Sequence, residues 1–123
     1  MTVVSAMNVK EPVASKTREN GNTLNEELEA LTTENPVILF MKGNRFMPQC
    51  GFSAHVIGLL SQYTDNYATV DILSDMDIRQ GLKEYSNWPT YPQLYVDGKF
   101  VGGCDIISEM DEDGELAPLL EGK

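Results

Sequence analysis

The chain has 123 residues, 41% of them hydrophobic, and a formal charge of −10. That length holds one domain with a real core and not two. The acidic balance argues against non-specific binding to nucleic acid or to an anionic membrane, and no apolar run approaches the length of a membrane span.

Two cysteines, Cys50 and Cys104, make no disulfide framework, so a reducing compartment is expected. No signal-peptide pattern of basic start, apolar core and small-residue cleavage site is seen, which favours the cytoplasm. Residues 1–22 lack periodicity and are expected to form a disordered tail. They are poor in basic residues for a targeting segment. A processed presequence of a mitochondrial matrix or plastid protein is the alternative. Residues 23–123 then form the domain.

A helix is expected from Thr23, because Thr23 and Glu26 fit a capping box and Leu24, Leu28 and Leu31 share a face. Asn35-Pro36 ends it. Val37–Met41 is apolar on both faces, as a central strand is. Lys42–Gln49 reads as a loop broken by Gly43, Asn44 and Pro48. Phe52, Val56, Leu59, Leu60 and Tyr63 follow helical spacing. Cys50 therefore sits where a strand hands over to a helix N-terminus. The free N–H groups and positive dipole end there favour a thiolate.

Tyr67–Ile72 reads as a second strand, and Ser74 or Asp75 caps a helix through Ile78, Leu82 and Tyr85. Asn87–Pro92 is a proline-punctuated loop. Gln93–Val96 and Lys99–Val101 flank Asp97-Gly98, a strong hairpin signal. Gly102-Gly103 reads as a flexible joint. Cys104-Asp105 opens a last helix with Ile106, Ile107 and Met110 facing inward, interrupted by Gly114 and finished by Leu116, Leu119 and Leu120. Strands joined through a helix are parallel with a right-handed crossover, and the hairpin is antiparallel. The expected fold is α/β: a thioredoxin-like, mixed four-stranded sheet flanked by helices on both faces.

A dithiol redox protein carries Cys-x-x-Cys, whose second thiol resolves the mixed disulfide. Here the fourth position is Ser53, which can hydrogen-bond the thiolate but form no disulfide. Cys50 needs a thiol from elsewhere: glutathione, Cys104 or another chain. Cys104 is either a small helix-start residue or a slow disulfide partner of Cys50. His55, the lone histidine, offers no convergent ligand set for a metal and reads as a surface residue. Trp88 is a core anchor or part of a cofactor wall.

Four motifs in order resemble the monothiol (CGFS-type) glutaredoxins: Lys42-Gly43, Pro48–Ser53, Trp88–Gln93 and Gly102–Asp105. The match runs from about Asn35 to Leu120. The resemblance implies a glutathione site and a [2Fe–2S] cluster shared between two chains. Each chain supplies its active-site thiolate and each of two glutathiones another, which meets the four-thiolate requirement. Cys50 maps as the metal ligand and as the catalytic nucleophile, with Gly51 and Phe52 beside it as cofactor-binding positions. Lys42 maps as partner of the glycyl carboxylate. Arg79 maps as a second, bidentate carboxylate partner. Tyr91 maps as the residue before a cis-proline, Pro92, with its backbone pairing the cysteinyl unit of glutathione. Cys104 and Asp105 map as the helix start that takes the γ-glutamyl group.

The resemblance further implies a monomer when apo and a homodimer when loaded, with iron–sulfur acceptor proteins and BolA-like proteins as partners. No nucleic acid or membrane is expected. Its alternatives are a glutathione-dependent thiol–disulfide oxidoreductase, an activity usually poor in monothiol members, and an iron-status binding module.

Overall fold

The computed structural model describes residue 18 and residues 21–123. The tail expected over 1–22 thus falls mostly outside the described residues. Helix α1 (Leu24–Glu34) begins with the expected capping box. The Thr23 hydroxyl accepts the Glu26 N–H at 3.2 Å, and Glu26 Oε1 accepts the Thr23 N–H at 2.8 Å. Two donors left over by helix geometry are thereby satisfied.

Strand β1 (Val37–Met41) is buried at every position. It pairs in parallel with β2 (Ala68–Asp71), in the register Ile38↔Ala68 to Met41↔Asp71. On its other side it pairs antiparallel with β3 (Gln93–Val96). β4 (Lys99–Gly102) completes the order β2-β1-β3-β4. The β3–β4 turn has Asp97 at φ 52° and Gly98 at φ 81°. Both central residues of the two-residue hairpin turn favoured by strand twist need such positive values.

Because side chains alternate along a strand, β1 feeds two cores. Val37, Leu39 and Met41 pack with Val56, Leu59 and Leu60 of α2 (Gly51–Ser61), Ile107 of α4 (Cys104–Glu112), and Leu116 and Leu120 of α5 (Leu116–Leu120). Ile38 and Phe40 pack on the opposite face with Leu24 and Leu28 of α1 and Ile78 and Leu82 of α3 (Met76–Ser86). Among the described residues no helix is long and apolar enough to cross a membrane. The expected four-stranded mixed sheet with helices on both faces is the observed one.

Two local expectations are refined and one is corrected. Phe52 and Tyr63 share the α2 spacing but are 63% and 40% exposed. Phe52 lies in the first turn at the mouth of a groove. Tyr63 lies beyond the helix end, where its hydroxyl donates to Asp111. The last helix is two, because Gly114 turns the chain at φ 75°. Gly102-Gly103 is no flexible joint. Gly102 ends β4 at φ 155°, where a Cβ would meet three Ile106 side-chain atoms at 2.8–2.9 Å. A Cβ on Gly103 would lie 3.2 Å from the Pro92 carbonyl and from Trp88 Nε1. Gly102 lets β4 pass close to α4, and Gly103 lets the start of α4 approach the 88–92 loop closely.

Candidate functional site

The C-terminal ends of β1 and β2 open toward one edge of the sheet, and the site is built there. After Met41 the chain makes a tight loop. Gln49 N–H donates to the Lys42 carbonyl at 2.9 Å, and Asn44 Oδ1 accepts the N–H groups of Phe46 and Met47, each at 2.9 Å. Gly43 allows this at φ 89°, since a Cβ there would lie 2.5 Å from the Met47 carbonyl. Arg45 anchors the far side, its guanidinium 3.8 Å from the Tyr67 ring centre.

The loop delivers Cys50 to the N-cap position of α2, with extended backbone and no side-chain capping bond of its own. Its thiol is half-buried, free, and acidified. The nearby Ser53 N–H is the main cause, helped by the Phe52 N–H, the Lys42 charge and the Ser53 hydroxyl, while burial opposes it. Ser53 is fully buried, and its Oγ accepts the Lys42 N–H at 3.2 Å. That bond leaves the hydroxyl proton for the thiolate. Ser53 therefore stabilises Cys50 as an anion in the place where a dithiol protein would keep its resolving thiol.

Cys50 opens onto a groove of about 360 Å³. Lys42 and Phe52 flank it on one side; Arg79 and Lys83 of α3 flank it on another. The 88–91 loop and residues 103–106 form the remaining walls. Among the described residues, Lys42, Arg79 and Lys83 have no ion-pair partner, although the chain carries a net charge of −10. α4 begins at Gly103 with no side-chain cap, so its first N–H groups also face the groove unpaired by a side chain. Three cations, a helix N-terminus and the Asp105 carboxylate thus surround one thiolate.

Most of the residues singled out from sequence converge here: Lys42, Cys50, Phe52, Arg79, Tyr91, Cys104 and Asp105 all line the groove. Gly51 and Pro92 do not. Gly51 is exposed in the first turn of α2, and Pro92 is buried behind the groove wall. The Tyr91–Pro92 peptide is cis, as the motif implied. The Tyr91 hydroxyl donates to the Arg79 carbonyl, tying the loop to α3, and burial raises the phenol pKa. Trp88 belongs to the groove wall while its ring packs 5.7 Å from Phe100. Its Nε1 is buried without a hydrogen-bond partner among the described residues.

Cys104 differs from Cys50. Burial, and then the nearby Asp105 and Cys50, raise its pKa against the lowering effect of Ser108, so it is the weaker nucleophile of the two. His55 is exposed, as read from sequence, and its Nε2 lies 3.0 Å from Ser108 Oγ. Sequence reasoning missed Lys83 as a groove residue. The signal was present, since Lys83 is four residues after Arg79 and so on the same helix face.

A thiolate at the end of a central strand, beside a cis-proline loop and an uncapped helix start, defines a thioredoxin-like thiol protein. Comparison with known proteins narrows the class. The family model described as Glutaredoxin matches residues 37–101. Glutaredoxin-3 of Bos taurus is 54% identical over 100 residues, which is 81% of this chain and 30% of that protein. An uncharacterized monothiol glutaredoxin, ycf64-like, of Synechocystis is 53% identical over 94 residues, 76% of this chain and 88% of that one. Among solved structures, reduced poplar apo GrxS14 superposes with a TM-score of 0.71 at 48% identity, covering 80% of this chain and 91% of that one. The chain therefore belongs to the monothiol glutaredoxins, although it spans about 30% of the length of the mammalian relatives it matches.

Proposed function

We propose that this chain binds glutathione in the groove beside Cys50 and, as a glutathione-completed pair of chains, carries a [2Fe–2S] cluster for transfer to acceptor proteins. The observation that carries the reading is the charge pattern around one thiolate. Glutathione presents two carboxylates, one ammonium and a thiol. Lys42 offers a cation to one carboxylate. Arg79 and Lys83, or the uncapped α4 N-terminus, serve the other. Asp105 serves the ammonium. Tyr91, which lines the groove before the cis-proline, would pair the cysteinyl unit through its main chain.

The cluster is cargo in this reading. Among the described residues no group of three or more His, Cys, Asp or Glu is arranged to hold a metal. One chain offers one acidified thiol at the groove, Cys50. A second chain and two glutathiones complete four thiolates. Two exchangeable small-molecule ligands suit a cluster that must leave. BolA-like proteins fit as alternative partners at the same exposed mouth, and a reducing cytoplasm suits a free thiolate.

Anaerobic reconstitution with iron, sulfide and glutathione tests this. The expected product is a coloured dimer by visible absorption and size exclusion, lost in Cys50→Ser or when glutathione is withheld. A colourless monomer would overturn the carrier reading. A second reading, removal of glutathione from protein thiols, is favoured by the acidified Cys50 and needs one cysteine only. Turnover of a glutathionylated peptide with glutathione as reductant measures it.

A further inference from the structure

Asp71, the last residue of β2, joins two loops through one atom. Its Oδ1 accepts the Gly43 N–H at 3.0 Å and the Leu73 N–H at 2.9 Å. Its carbonyl accepts the Ser74 N–H at 3.1 Å and the Ser74 hydroxyl at 2.7 Å. The parallel ladder between β1 and β2 ends just below, with the Ile72 N–H on the Met41 carbonyl at 2.9 Å. Beyond that rung, the Gly43–Asp71 bond ties the 42–49 loop to the 71–75 turn among the described residues.

The two tied segments lead to different parts of the groove lining. Gly43 directly follows Lys42. The 71–75 turn leads to Asp75, the N-cap of α3, whose carboxylate accepts the N–H groups of Asp77 and Ile78. Arg79 follows one turn later and Lys83 two turns later. Gly43 has little room to drift, because the space around it is filled by the backbone of Met47 and Gln49. A shift of the Asp71 carboxylate therefore moves the Lys42 side, the α3 side, or both.

We propose that Asp71 is a positioning residue that sets the distance between the Lys42 wall and the Arg79–Lys83 wall, matching the groove to a thiol ligand with two carboxylates. The ligand half of this statement rests on the glutathione reading; the positioning half does not. Asp71 touches no ligand itself. It acts through Gly43, and through Lys42, whose N–H orients the Ser53 hydroxyl at Cys50.

The test compares Asp71→Ala with Asp71→Asn in the full chain. Asparagine keeps a carbonyl oxygen where Oδ1 stands, whereas alanine removes it; both remove the charge. The charged and titratable groups that face Cys50 are unchanged in both: Lys42 from the end of β1, Arg79 and Lys83 from α3, and Cys104 and Asp105 from α4. Two probes are used, S-methylglutathione and its glycyl ethyl ester, which lacks one carboxylate. The parent chain and Asp71→Asn should prefer the first probe. Asp71→Ala should bind it on the order of tenfold more weakly while binding the ester about as before, so that the preference collapses. An unchanged preference in Asp71→Ala would overturn the proposal. A second readout does not need glutathione: alkylation of Cys50 across pH in a Cys104→Ser background. Alkylation of Asp71→Ala should require higher pH than that of Asp71→Asn, and coincident profiles would overturn the positioning role. Binding of neither probe by the parent chain would overturn the glutathione reading and the ligand half with it, leaving alkylation to decide the positioning half.

Discussion

At the scale of single residues, the chemistry concentrates in the pair Cys50 and Ser53. A serine one turn after a helix-capping thiol has two effects of opposite kind. It removes the route within the four-residue motif for resolving a mixed disulfide. Its N–H and its hydroxyl also both lower the pKa of the thiol, from a side chain that is fully buried. Ser53→Ala keeps the N–H and removes the hydroxyl, along with the acceptor for the Lys42 N–H. In a Cys104→Ser background its Cys50 should be alkylated by iodoacetamide on the order of tenfold more slowly at pH 7, with the deficit closing at high pH where both thiols are ionised. Equal rates at pH 7 would show that the main-chain donors suffice. Cys50, Ser53 and Lys42 were legible because their meaning depends on spacing within one strand-loop-helix unit. Lys83 and Asp71 were not singled out, since their roles depend on what the fold places across from them.

At the scale of elements, local signals were strong where a local bond answers them. The Thr23–Glu26 capping box, the Asp97-Gly98 turn and the Asp75 cap are each satisfied within four residues; the first two are read directly from sequence, and the structure chooses Asp75 over Ser74 for the third. Gly102-Gly103 was misread because glycine has two opposite uses, freedom and close approach. Only the position of Ile106 and the 88–92 loop decides between them. Gly102→Ala should cost about 1–3 kcal/mol by forcing a Cβ against Ile106 at an unfavourable φ. Urea unfolding followed by circular dichroism measures it. A loss within about 0.5 kcal/mol would restore the flexible-joint reading. The same change should disturb the start of α4, so glutathione affinity is the companion measurement.

At the scale of the whole molecule, three of the cations without an ion-pair partner among the described residues line the groove, while Arg18 is used elsewhere. The Arg18 guanidinium reaches Glu27 of α1 and Asp75 and Asp77 at the start of α3. Its hydrogen bond to Asp75 holds that carboxyl below its usual pKa, against the effect of burial. A carboxyl depressed in the folded state contributes stability above its unfolded pKa, and that contribution is lost as pH falls through the folded value. Arg18→Gln should therefore lower the urea midpoint at pH 7, and its gap from the parent chain should close progressively below about pH 3.8. A gap of constant size down to pH 2.5 would show that packing of the arginine, not its charge, matters.

The sequence by itself determined the element order, the alternating two-faced pattern of the central strand, and the motif series that places a lone reactive thiol at a helix start. Each of these depends on residues close together in the chain or on a period of 2 or 3.6, and neighbouring residues carry such information directly. Tertiary structure decided which cations stand unpaired around that thiol, which glycines are tight, and that the Asp71 carboxylate accepts both the Gly43 and the Leu73 N–H. Those facts depend on how separate elements pack against one another, and a sheet edge closed by packing brings such elements together without leaving a local trace.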